Sequence, residues 1–365
     1  MSLSHLLQPL CSPGSTPPNW EALEALTWAD AAYCQAFGLE AYGVVGFVRR
    51  QGEFLLTQGA AFEQFYGQHL QREPHHLPPW AVNLWRLWLP LAQQIHDRHR
   101  HRTVTQPHTP HRPWVQGILG VQGTGKTTLA TFLTWILQRW GHQVVSLSLD
   151  DFYKTHGERQ QLQRQDPQLR WRGPPGTHDL TLACAILDSL SSVSPEKPLA
   201  IPRFDKSLWQ GDGDRVEPQW ITGADIVLLE GWCVGMRPVT ADQLQGSRSL
   251  FATDRDFAFA QTCNDRLRDY LPLWQRLDDL LILAPQDYRW SKVWRQEAEE
   301  RLRWQGRGAM TPEAVAEFVD YFWTALHPSL FLQPLLETPG AGLVVEVKRN
   351  RNVGAVYPAG WTKTG

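Results

Sequence analysis

Residues 114–153 read WVQGILGVQGTGKTTLATFLTWILQRWGHQVVSLSLDDFY, and this stretch decides the fold. Inside it, Gly120-Val121-Gln122-Gly123-Thr124-Gly125-Lys126-Thr127 matches G-x-x-x-x-G-K-[ST] in full. The apolar run before it, Val115 to Leu119, reads as a buried strand, and Thr128 to Trp140 carries the period of a helix. Strand, glycine-rich loop and helix are the setting in which this motif wraps a polyphosphate. Backbone N–H groups must approach the phosphates closely, so glycines line the turn. Lys126 brings a compact cation, the Thr127 hydroxyl is a hard oxygen ligand suited to Mg²⁺, and the helix points its positive end at the anion. Gly120, Gln122, Gly123, Thr124, Gly125, Lys126, Thr127 and Thr128 are therefore the candidates to hold a nucleoside triphosphate, ATP with its Mg²⁺.

The next apolar run ends in Ser148-Leu149-Asp150-Asp151-Phe152-Tyr153. In an open parallel sheet ligands sit beyond the carboxyl ends of the strands, so an acid here faces the same crevice as the loop. Asp150 is the candidate to accept a proton from an attacking hydroxyl, with Asp151 and Tyr153 beside the acceptor; the alternative role for one of the two aspartates is a helix N-cap. A third run, Ile226 to Glu230, ends in an acid followed by Gly231. If that strand lies beside the first, Glu230 reaches the Mg²⁺ shell or one of its waters.

Further runs at 279–284 and 343–348 complete an α/β pattern with a parallel sheet, strands at 115–119, 144–149 and 226–230 preceding them. The second and third strands are separated by far more than a crossover needs. This excess, about 154–222, is expected to be an acceptor-binding insert. Its segments RWRGPPGTHD (170–179), PRFDKS (202–207) and GDGDR (211–215) read as cation-rich loops. Arg172, Arg203, Lys206 and Arg215 are candidates to hold a carboxylate, and His178 with Asp179 to orient a hydroxyl, although Asp179 could equally cap the following helix. After the fourth strand a helical pattern at about 286–308 is expected to act as a cationic lid, with Arg295 turned to the transferring phosphoryl.

Upstream, residues 1–95 read as a mainly helical extension, with helices at about 20–37, 60–72 and 79–99, the last broken or kinked at Pro90. Residues 96–113, rich in His, Arg and Pro, read as a solvated linker rather than a metal site, and 114–365 as the catalytic domain. The 365 residues carry 35 Lys+Arg against 37 Asp+Glu, so no net charge favours nucleic acid or an anionic membrane. Five scattered cysteines without C-x-x-C spacing, no apolar run near the length of a membrane span, and an N-terminus without leader character lead to the expectation of a reduced, cytoplasmic protein.

In order and spacing, the loop at 120–127, SLDDFY at 148–153, RGPPGTHD at 172–179, FDKS and GDGDR within 204–215, LLEGW at 228–232 and WRQEAE at 294–299 resemble the plant and cyanobacterial type of D-glycerate 3-kinase, a branch of P-loop kinases related to phosphoribulokinase and uridine kinase. The resemblance implies a sheet ordered 2-3-1-4-5, ATP-dependent phosphorylation of the 3-hydroxyl of D-glycerate to 3-phosphoglycerate, a step of photorespiratory carbon recovery, and Asp150 as the base. Residues 347–353 lack the proline usual in that family's adenine-contacting loop. Two rivals stand beside this reading. One is a related kinase acting on a nucleoside, pantothenate or a sugar phosphate; the other is a P-loop regulatory ATPase, against which the missing N-K-x-D motif and the DDFY acids both count.

Overall fold

Within the residues described by the computed structural model (1–11, 17–70, 79–105, 112–304 and 310–362), eight strands form two sheets. They are β1 (Trp114–Gly120), β2 (Val144–Ser148), β3 (Leu199–Asp205), β4 (Asp214–Ile221), β5 (Ile226–Gly231), β6 (Asp279–Pro285), β7 (Leu343–Val347) and β8 (Val353–Pro358). The main sheet runs β2-β5-β1-β6-β7-β8, parallel except for the antiparallel β7/β8 edge. Counting only its five parallel strands, the order is the expected 2-3-1-4-5 of a P-loop NTPase-like α/β fold. β3 and β4 form a separate antiparallel hairpin inside the insert.

Both faces of this sheet are covered, which is why its strands read as continuous apolar runs. Along β5, Ile226 and Leu228 enter one core while Val227 and Leu229 enter the other, as the two-residue period of a strand requires. The first of these cores is shared by the helix after the loop (Lys126–Arg139) and by the N-terminal helices. At its centre Phe62 meets Trp80, Phe132 and Trp135 edge-on, with ring centroids 5.3, 5.5 and 5.2 Å away. The N-terminal helices are thus one wall of the sheet's core.

Several expectations need correction. The helix expected at 20–37 is two, Trp20–Trp28 and Ala31–Ala36, because Asp30 caps the second by accepting from Tyr33 N at 3.1 Å. The one expected at 60–72 begins far earlier, spanning Ala41–Leu70, and positions 71 and 72 lie outside the described residues. Pro90 does not end its helix: the chain passes from Pro79–Asn83 through a π-helical turn, Leu84–Trp88, into the helix Leu89–Thr105. The wider turn makes room where the proline ring would crowd the carbonyl four residues back.

That last helix also overturns most of the solvated linker at 96–113, of which 106–111 lie outside the described residues. Arg98 pairs with Asp279, and Arg102 with Asp278 at 2.9 Å, while Asp278 also takes Arg112 at 2.8 Å and Val115 N at 2.7 Å. The basic tract is held as a helix because acids at the start of β6 receive its arginines. In the insert, residues read as loops, 203–205 and 214–215, lie in strands. Pro202 is tolerated there because the β3/β4 register shifts between Ile201 and Arg203, so no ladder hydrogen bond is demanded of it.

Truncation of Phe62 should therefore be felt by the whole protein. Phe62→Ala is expected to cost about 3–5 kcal/mol and to lower a single urea transition followed by circular dichroism; a biphasic curve would mean that the N-terminal helices unfold on their own.

Candidate active site

The loop after β1 has the backbone its glycines predict. Gly123 and Gly125 sit at φ 80° and 89°, where a side chain is strained, and a Cβ on Gly123 would lie 2.4 Å from Trp294 Cβ. Lys126 and Thr127 open the helix that follows, so its unpaired N–H groups face the concave side of the loop. Lys126 Nζ donates to Val121 O at 3.2 Å. Burial pulls its ammonium below the usual lysine range, and the charges of Glu230 and Asp150 oppose that shift. Thr127 Oγ1 donates to Glu230 Oε1 at 2.8 Å, which leaves the hydroxyl's lone pairs free for a hard cation. A cradle closed to side chains, a half-buried ammonium and paired hydroxyl and carboxylate oxygens fit a triphosphate with Mg²⁺.

β2 ends beside β5, with Ser148 opposite Glu230 in register. Ser148 then caps a short 3₁₀ turn, Leu149–Phe152, and this splits the two aspartates. Asp151 turns back to accept from Ser148 N at 3.0 Å and from Arg203 Nη1 at 2.7 Å; burial pushes its carboxyl up against those two donors. Asp150 instead meets Lys206 Nζ, 2.5 Å from its Oδ2, and the Tyr153 hydroxyl. Burial alone would raise the Asp150 carboxyl, but the charge and hydrogen bond of Lys206, with smaller help from His178 and Tyr153, bring it down to about 2.

The motif at 172–179 reaches the same place through backbone pairing. Lys154 N donates to Thr177 O at 3.0 Å and Asp179 N to Phe152 O at 2.7 Å. The His178 ring stacks on Tyr153, centroids 4.6 Å apart. Its Nδ1 lies 2.6 Å from the Tyr270 hydroxyl, which accepts from Gly176 N at 3.1 Å. The direction of this bond is set by the tautomer of the ring, and the buried Nε2 has no hydrogen-bond partner among the described residues. Burial lowers the His178 pKa to about 4, against the pull of Asp150.

The other expected acceptor residues are occupied. Asp179 caps the helix Leu180–Ser189 by accepting from Leu182 N at 3.0 Å, and takes Arg215 Nη2 at 3.0 Å. Arg215 also donates to Tyr153 O at 2.9 Å, and Arg172 to Gly211 O at 2.5 Å. Arg203 adds Ser146 O and Gln219 to Asp151, fastening the hairpin to β2. Arg295, on the helix Trp290–Trp304, pairs with Glu299 and lies over the Phe318 ring at 5.3 Å, while Glu299 also receives Met310 N at 2.9 Å. These contacts tie Arg295 to its own helix and to the helix Pro312–Ala325, and residues 305–308 of the expected lid lie outside the described residues. Sequence reasoning missed Tyr270, 92 positions from its histidine, and Arg351. Arg351 has φ 64° in the β7–β8 turn, donates to Gly123 O at 3.1 Å and pairs with Glu297 at 2.7 Å. The signal for Arg351 was its place in the stretch tied by resemblance to the adenine loop.

No protein-family model matches the chain. An uncharacterized kinase of Schizosaccharomyces pombe, mug58, is 36% identical over 225 residues, which cover 60% of this chain and 81% of that protein. The chain belongs to the P-loop kinases. This kinase is also 30% identical over 253 residues to the chloroplastic D-glycerate 3-kinase of Arabidopsis thaliana, 66% of this chain but only 54% of the plant protein. Among solved structures, a D-glycerate 3-kinase from Cryptococcus neoformans var. grubii superposes with a TM-score of 0.66 at 28% identity, covering 74% of this kinase and 99% of that chain.

His178 gives the site a pH signature. Its pKa is lower folded, about 4, than the ordinary 6.5, so the unfolded chain takes up the proton first and the stability of the neutral ring is lost as pH falls from 6.5 towards 4. The stability difference between the wild type and His178→Gln, from urea unfolding at pH 7.5, 5.5 and 4.5, is expected to shrink stepwise; a constant difference would mean that folding leaves the pKa of His178 unchanged, and a growing one that the fold holds it protonated.

Proposed function

We propose that this kinase transfers the γ-phosphoryl group of ATP to the 3-hydroxyl of D-glycerate, giving 3-phosphoglycerate. One observation carries the reading: Asp150 touches the insert cation Lys206, 2.5 Å from its Oδ2, and its charge also acts on the donor-side cation Lys126. An acid coupled to both a loop cation and an insert cation suits a site where a hydroxyl of an anionic acceptor meets a triphosphate. The names of the plant and fungal relatives point to glycerate as that acceptor.

The division of labour follows from the residues. The loop's N–H groups and Lys126 hold the β- and γ-phosphates and offset the charge that builds on them. Thr127 and Glu230 would hold Mg²⁺, directly or through water, and the ion supplies charge neutralisation when bound. Asp150 orients the acceptor hydroxyl by accepting its proton, so that a lone pair faces the phosphorus. A carboxylate near pKa 2 is a weak base, and alignment is what a loose phosphoryl-transfer transition state chiefly demands. Lys206 is the insert cation placed to meet the acceptor's carboxylate. Tyr153 and His178 shape the floor beneath it.

Purified protein should release ADP with D-glycerate and far more slowly with L-glycerate, uridine, pantothenate or ribulose 5-phosphate. Preference for another of these would move the acceptor within the superfamily, and absence of any acceptor-dependent release would favour the regulatory ATPase. Asp150→Asn is expected to lower kcat by about 10²–10⁴ with ATP affinity retained in calorimetry; unchanged kcat would place the base elsewhere.

A further inference from the structure

Lys206 differs from the other cations of the insert in what it holds. Arg203, Arg215 and Arg172 are tied to carbonyls, an amide and structural carboxylates. Lys206 is the first residue beyond β3, and its partner is the site's own carboxylate, Asp150 Oδ2, at 2.5 Å. Its side chain is 59% exposed on a flexible stem, against 26% for Asp150. The ammonium can therefore leave without any movement of the hairpin, which Arg203 holds against β2.

We propose that Lys206 is a latch on Asp150, closed while no acceptor is bound and opened by an acceptor that offers the ammonium a carboxylate of its own. The inference rests on the reading of Asp150 as the group that takes the hydroxyl proton. Two consequences follow from the geometry. Selection comes first: a neutral polyol with the same hydroxyl offers nothing in exchange for Asp150, so it leaves the latch closed, whereas a hydroxy acid opens it. Restraint of ATP hydrolysis is the second. With the latch closed, Asp150 Oδ2 already accepts a charged donor, which weakens it as a base towards water. With it open, water could react: its oxygen would bond to the γ-phosphorus, the bond from that phosphorus to the β–γ bridging oxygen would break, Asp150 would take the proton, and ADP and phosphate would leave. In the productive reaction the acceptor hydroxyl stands where that water would. The exchange also strengthens Asp150 when it is needed, since burial, the largest influence on it, raises its pKa once the lysine has gone.

The test uses the full chain with MgATP and compares wild type, Lys206→Met, Lys206→Arg and the double variant Asp150→Asn/Lys206→Met. Phosphate release without acceptor is read first, then ADP release with D-glycerate and with glycerol. Lys206→Met should raise acceptor-free hydrolysis about tenfold or more, within the range a positioned base contributes. It should also raise the KM for glycerate and narrow the preference for glycerate over glycerol. Lys206→Arg should keep hydrolysis low, and the double variant should lose the gain. Hydrolysis by Lys206→Met at the wild-type level overturns the latch, even if the glycerate KM rises as it would for a plain carboxylate clamp. A gain that survives in the double variant overturns it too. Wild type that ignores glycerate would instead fail the functional reading, while the acceptor-free comparison still decides the latch.

Discussion

The parallel pairing of β1 with β5 is the constraint on which the site depends. It sets Ile118 opposite Glu230, and the carboxylate leaves the strand on the same side as Ile226 and Leu228, the side covered by the helix that begins at Lys126. Only in this register does Glu230 meet Thr127 at 2.8 Å. A slip of one residue would send the carboxylate to the opposite face. β2 on the far edge of β5 then brings Ser148 level with Glu230, and the 3₁₀ turn it caps delivers Asp150 to the same rim. Three chain segments far apart in sequence thus converge because their strands are neighbours in the sheet.

Around this rim the charges divide by chemistry. Arginines in the insert build: their planar, forked guanidinium groups tie backbone carbonyls and carboxylates together and fix the hairpin, the 3₁₀ turn and the helix cap. Lysine acts: Lys126 and Lys206 are point charges, one in the phosphate loop and one in the insert, both coupled to Asp150. A buried imidazole held by Tyr270 and stacked on Tyr153 makes the floor stiff and uncharged at neutral pH.

What was legible in the sequence was whatever depends on short-range pattern. The loop at 120–127, the apolar runs of the parallel strands and the acids at the ends of β2 and β5 are local signals, and the sheet order followed from resemblance. The hairpin β3/β4 escaped because Pro202 and the surrounding polar residues imitate a loop, and both it and the edge strand β8 pair across a register shift. The helix through His96–Thr105 escaped because what stabilises it, Asp278 and Asp279, lies more than 170 positions away. The partners of Arg172, Arg203, Arg215 and Arg295 were invisible for a similar reason: composition shows that a cation is present but not whether the fold has already engaged it.

The aromatic wall around Phe62 bears on how such a protein can be taken apart. Phe132 and Trp135 belong to the helix that starts at the phosphate loop, and their other faces lie against residues from the first hundred positions. The seam at residue 113, which a reader of the sequence would choose for cutting or for recombining genes, therefore runs through a shared interior rather than between two independent ones. A kinase trimmed there would expose the back of its own nucleotide-binding helix to water, so the two portions of chain are bound to be inherited together.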